Sequence, residues 1–179
     1  YEIPKRDWSS DVCSSDLQIS DEYILIIGEF YEYLGWIYAE QFNSKKFNKI
    51  IEEAQNWINK KEPLTAQTRV TKKRILHLNA TFVLSLNLDS INTFLKKDIK
   101  NIENYLNEFD LLSIEEQKQI ISIDKTYLYD GYSDVASMDN IFNFSGKGIG
   151  YYSFKALEEL KLRPQIGNHY KIYIYSNML

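Results

Sequence analysis

Apolar residues recur at intervals of three and four over most of positions 21–123 of this chain, the period of helices that bury one face. Ile24, Ile27, Tyr31, Leu34, Tyr38 and Phe42 share one stripe, with Glu29, Glu32 and Glu40 off it. Ser20 and Asp21 supply N-cap oxygens ahead of that stripe. The spacing predicts a helix over about 21–42, broken at Asn43-Ser44, although the run from Tyr23 to Gly28 also suits a buried strand. Ser44 is placed to cap a second helix whose face carries Phe47, Ile50, Ile51, Ala54, Trp57 and Ile58, ended by Pro63. A short link between two amphipathic helices implies an antiparallel pair, with Trp57 buried between them.

The stretch 69–88 satisfies two periods. Residues from Leu76 to Leu88 alternate as a half-buried strand does, while Ile75, Leu78, Phe82 and Leu86 form a helical stripe. Thirteen residues is long for a strand, so helix is the preferred reading. Asp89 and Ser90 precede a further helix with Ile91, Phe94, Leu95, Ile99, Ile102, Tyr105, Leu106 and Phe109 on one face. Ser113 and Glu116 then have the spacing of a capping box, opening a helix to about Ile123.

Character changes after Asp124. Eight of fourteen tyrosines and five of seven glycines lie beyond it, which moves the expectation from bundle to β structure. Tyr127-Leu128-Tyr129 followed by Asp130-Gly131 reads as strand and turn. A last helix is predicted over 152–162. His169 to Tyr175 alternates apolar and polar residues as a strand would, with Lys125 to Tyr129 as its partner. The expected fold is therefore α+β and mainly helical: a tail over 1–17, a bundle-like helical core over 18–123, and a small Tyr-rich antiparallel β part within 124–179.

The tail has a separate origin. Asp7 to Leu17 resembles, at all eleven positions, the in-frame translation of a short-read sequencing adapter, as found in proteins assembled from metagenomic reads. No resemblance to a protein family accompanies it. Cys13, the single cysteine, lies inside this segment, so no disulfide, thiolate nucleophile or cysteine metal site is expected. The chain has 21 bases and 25 acids; without Asp7, Asp11 and Asp16 the acids fall to 22 and the net charge from -4 to -1. Tyr1 to Arg6 is expected to come from an unrelated fragment, and the lack of an initiator Met suggests that the native start is missing. Glu29 and Glu32 interrupt the longest apolar stretch, which argues against a membrane span and for a cytoplasmic protein.

Two groups of residues could carry chemistry. Ser145-Gly146-Lys147-Gly148-Ile149-Gly150 precedes a helix, and Gly146, Lys147, Gly148 and Gly150 form a candidate anion-binding loop, because glycines permit left-handed backbone whose amides can face an anion. Its spacing matches neither the phosphate-binding loop nor the dinucleotide fingerprint. Arg69, Lys72, Lys73 and Arg74 put four bases in six residues and form a candidate nucleic-acid contact, set against a near-neutral remainder. Asp124, Asp130, Asp134 and Asp139 read as solvated turn acids rather than a cation site, since Asp bonds its own backbone in turns. His77 and His169 lie outside any catalytic pattern. No metal or cofactor is expected.

These observations favour an interaction or regulatory protein with a protein partner over an enzyme, the anion loop and the basic run supplying the two rival readings. Removing residues 1–17 is expected to leave the thermal midpoint unchanged within error; a fall of several degrees in a melting curve would show that the tail packs natively.

Overall fold

A computed structural model describes residues 21–61, 64–83, 88–148 and 150–164, and these residues form seven helices and no strand. They are α1 (Asp21–Glu40), α2 (Ser44–Ile58), α3 (Ala66–Val83), α4 (Leu88–Asp110), α5 (Ile114–Ile123), α6 (Tyr127–Phe142) and α7 (Tyr151–Leu162).

Local chemistry explains most boundaries. Asn43, rather than Ser44, caps α2: its side chain accepts a hydrogen bond from the Lys46 amide at 3.1 Å. The Ser113–Glu116 capping box forms, with the Ser113 amide donating to Glu116 Oε2 at 3.0 Å. Thr65 Oγ1 accepts from the Thr68 amide and so caps α3. Between residues 69 and 83 the helical period prevails over alternation, and Val70, Ile75, Leu76, Leu78 and Ala80 are buried.

α3 is the hub. One side of it takes α1 and α2, where Ile24, Ala54, Ile58 and Ile75 pack in one cluster and Phe47, Ile51 and Leu78 in another. α1 approaches α3 closely through Gly28 and Gly35, two turns apart, where added Cβ atoms would run into Thr71 and Leu78. The other side meets α4, α5 and α6, with Val70, Ile102, Leu106, Ile120, Leu128, Val135 and Met138 in the largest cluster. α7 closes over α6 through Tyr129, Ala156 and Leu160.

The expected α+β fold is corrected: the described part is all-α. Tyr127 to Tyr129 opens α6 instead of forming a strand, and Asp130-Gly131 lies inside that helix rather than in a turn. Two tertiary interactions override the local preference. Asp130 pairs with Lys73 on α3, and Gly131 lets the Tyr105 ring lie against the α6 backbone, where a Cβ would overlap its hydroxyl. The strand expected at 169–175 lies outside the described residues. Trp57 is half-buried rather than enclosed, its ring centroid 5.8 Å from that of Tyr31 and the Lys61 ammonium 5.5 Å from its own.

Gly131→Ala is a direct check of this packing. Helix propensity alone favours alanine by about 1 kcal/mol. Overlap with the buried Tyr105 is expected to reverse the sign, for a net loss of about 1–3 kcal/mol in urea unfolding.

Candidate functional site

Lys73 and His77 stand one turn apart on α3, and Asp130 and Asp134 stand one turn apart on α6. The helices meet so that the pairs match in order: Lys73 Nζ contacts Asp130 Oδ2, and His77 Nδ1 lies 2.8 Å from Asp134 Oδ2. The two helices therefore run parallel at this contact. A third carboxylate arrives from the C-cap of α5, with Asp124 Oδ2 at 2.9 Å from Lys73 Nζ. Thr126 ties the acids together. Its amide donates to Asp124 Oδ1 at 2.9 Å, and its hydroxyl lies 2.8 Å from that oxygen and 2.7 Å from Asp130 Oδ2.

The Lys73 side chain is 3% exposed. Burial alone would push its ammonium down, but Asp130 and Asp124 hold it above the ordinary lysine value. Burial also opposes ionisation of Asp124, yet Lys73 and Thr126 keep that carboxyl below the usual range. Burial disfavours His77 as a cation, but Asp134 and Asp130 together outweigh it, so its pKa is raised. Burial raises Asp134 in turn, against the pull of His77. The pair is arranged to retain a proton. A separate buried carboxyl links α3 to α4, where Asn79 Nδ2 donates to Asp98 Oδ2 at 2.9 Å and burial pushes Asp98 up to about 6.

The arrangement redistributes the residues singled out by sequence. Within the basic run, Lys73 belongs to the buried cluster, Arg69 contacts Glu108 on α4 at 3.3 Å, and Arg74 contacts Glu29 on α1 at 2.9 Å. Lys72 is half-buried and forms no ion pair among the described residues. The four aspartates read as solvated turn acids are corrected: Asp134 and Asp139 are buried, and all four accept specific bonds. Among the described residues no group of three or more His, Cys, Asp or Glu is placed to hold a metal ion.

In the loop, Gly146, Gly148 and Gly150 all adopt left-handed backbone, with φ of 69°, 94° and 85°. Its amides donate inward: Ser145 N to Asp139 Oδ1 at 2.8 Å, Lys147 N to Ser145 Oγ at 3.1 Å, and Gly148 N to Asn143 Oδ1 at 3.2 Å. Lys147 is exposed beside them.

α1 presents a surface that the sequence reading missed. Its Ile24–Tyr38 stripe faces α2 and α3 as expected, but a second stripe of Tyr23, Ile26, Phe30, Tyr33 and Ile37 faces outward. Tyr33 is 70% exposed, and Tyr23, Ile26 and Phe30 are each 59% exposed. Trp36, 37% exposed, flanks the stripe; Phe42, assigned by its spacing to the inward stripe, lies past the end of α1 and is 88% exposed. The intervals 3, 4, 3 and 4 were visible in the sequence; what hid them was the assumption of one buried face per helix. No helix among the described residues is long and apolar enough to cross a membrane.

Comparison with protein-family models, curated proteins and solved structures finds no match.

Lys73→Met isolates the ionic cluster. Loss of the ammonium leaves Asp124 and Asp130 without their cation, and a cost of about 3–5 kcal/mol is expected at neutral pH. The Asp124 contribution is present above its unfolded pKa of 3.8 and is lost as pH falls through its depressed folded value. The deficit of Lys73→Met is therefore expected to shrink in acid, which urea unfolding at neutral and acidic pH measures.

Proposed function

We propose that this protein is a non-enzymatic interaction module that binds an amphipathic protein helix along α1. The outward stripe of α1 carries the reading. Tyr23, Ile26, Phe30, Tyr33 and Ile37 have the alternating three-and-four spacing of a coiled-coil seam. Fully exposed aromatics present about 150–250 Å² each, so with the observed exposures the stripe together with Trp36 amounts to roughly 600 Å². The largest contiguous apolar patch of a monomer is about 300–600 Å² and is often functional, and one side of the smaller stable protein interfaces is about 600 Å².

The patch is built for contact rather than for packing within its own domain. α1 is already held on α3 through Gly28 and Gly35, and the outward stripe leaves that packing untouched. Tyrosine and phenylalanine bring large contact areas with few rotatable bonds. The rival readings find less support: the amides of the 145–150 loop donate within the loop and to Asp139, and three of the four bases in 69–74 hold acids of this chain.

A labelled peptide that is apolar at heptad a and d positions and otherwise Lys/Glu serves as the probe. Fluorescence anisotropy is expected to show saturable binding, weakened at least about tenfold by Tyr33→Glu, since a charge is then buried in the seam. Phe154→Glu, on α7 and 62% exposed, is the control expected to change nothing. Absence of saturation, or equal loss with both variants, overturns the reading.

A further inference from the structure

We infer that the helix seated on α1 is α1 of a second copy, joined antiparallel about a two-fold axis; this rests on the docking reading of the same face. The seam is self-complementary. In an antiparallel pair, a and d positions alternate across the interface, so Phe30 meets Tyr33 of the partner subunit and Ile26 meets Ile37 of the partner subunit. Aromatic layers then occupy the centre and aliphatic layers the ends, with each contact made twice by the two-fold operator. A parallel pair would instead stack Tyr33 on its own copy and leave the helix dipoles aligned.

Area and charge agree with this occupant. Two such patches together cover roughly 1,200 Å², the lower end of the range of stable interfaces. α1 carries acids and no base, which opposes self-pairing, but the acid closest to the seam centre on one flank, Glu29, is neutralised by Arg74 at 2.9 Å. The net charge of the whole chain, -4, is too small to hold two copies apart at physiological salt. α1 is also apolar on nearly all sides, and a helix of that kind is covered on all sides when it is stable. α2 and α3 cover the inner side; a second α1 covers the outer.

Sedimentation velocity of the full chain over a concentration series tests the inference. A monomer–dimer equilibrium with Kd on the order of micromolar or tighter is expected. Phe30→Glu and the milder Tyr33→Ser are each expected to weaken dimerisation at least about tenfold while circular dichroism stays helical; Phe154→Glu is expected to leave it unchanged. In a Cys13→Ser background, a mixture of Phe30→Cys and Tyr33→Cys chains is expected to form the mixed disulfide in preference to Tyr33→Cys with itself. A wild-type chain that stays monomeric to about 0.1 mM, a dimer indifferent to Phe30→Glu, or self-linking of Tyr33→Cys overturns the inference. A monomer that still binds the heptad peptide overturns the second copy alone and leaves the docking reading standing; one that binds nothing overturns both.

Discussion

Lys73 between Asp124 and Asp130 is the interaction on which the arrangement of the second half of the chain depends. A lysine at 3% exposure is tolerated only when its charge is answered at short range, and here two carboxylates from different elements do so. One belongs to the end of α5 and the other to the first turn of α6, so a single ammonium fixes where one helix stops and the next starts. Thr126, between them, orders the turn by bonding both acids. The cluster also sets the register of α6 on α3. A one-turn slip in either direction would break the Lys73–Asp130 and His77–Asp134 contacts together.

This dependence explains what could be read from the sequence. The elements up to Ile123 were legible because their signals are local: a stripe of apolar residues, a cap, a break. The capping box at Ser113 and Glu116 needs four residues and forms as read. The cap of α2 moved by one residue, to Asn43, because adjacent Asn and Ser offer equivalent oxygens and the backbone chooses between them. α6 was illegible for the opposite reason. Tyr127 to Gly131 carries local signals for strand and turn, and what makes it helical lies on α3 and α4, in Lys73 and Tyr105. Local propensity is a weak prior where a buried charge must be answered.

The candidate sites follow the same division. Arg69, Lys72, Lys73 and Arg74 looked like one patch because they are neighbours in sequence, but helical geometry points Arg69 to Glu108, Lys73 to Asp124 and Asp130, and Arg74 to Glu29. The complementary pairs Lys73/His77 and Asp130/Asp134 share the four-residue interval, a signal available only once both segments are read as helices. The left-handed glycines of the 145–150 loop were legible because positive φ is a property of single residues. Where their amides point was not, since that is decided by Asp139 and Asn143.

α1 and α3 divide the work of the fold between two kinds of surface. α3 is mostly buried, and its Lys73 and His77 are matched in order with Asp130 and Asp134 of α6, which makes its position specific. α1 is held by close approach at Gly28 and Gly35, a contact that transmits little of its identity outward, and its remaining face is broad and apolar. A fold built this way can change the outward residues of α1 without disturbing the core, because none of Tyr23, Ile26, Phe30 or Tyr33 belongs to a buried cluster. Free energy spent on holding α3 and α6 in register is thus separated from the surface proposed to meet a partner. Residues that set stability and residues proposed to set association lie on different helices, so substitutions in the two groups, more than one contact apart, should add rather than couple.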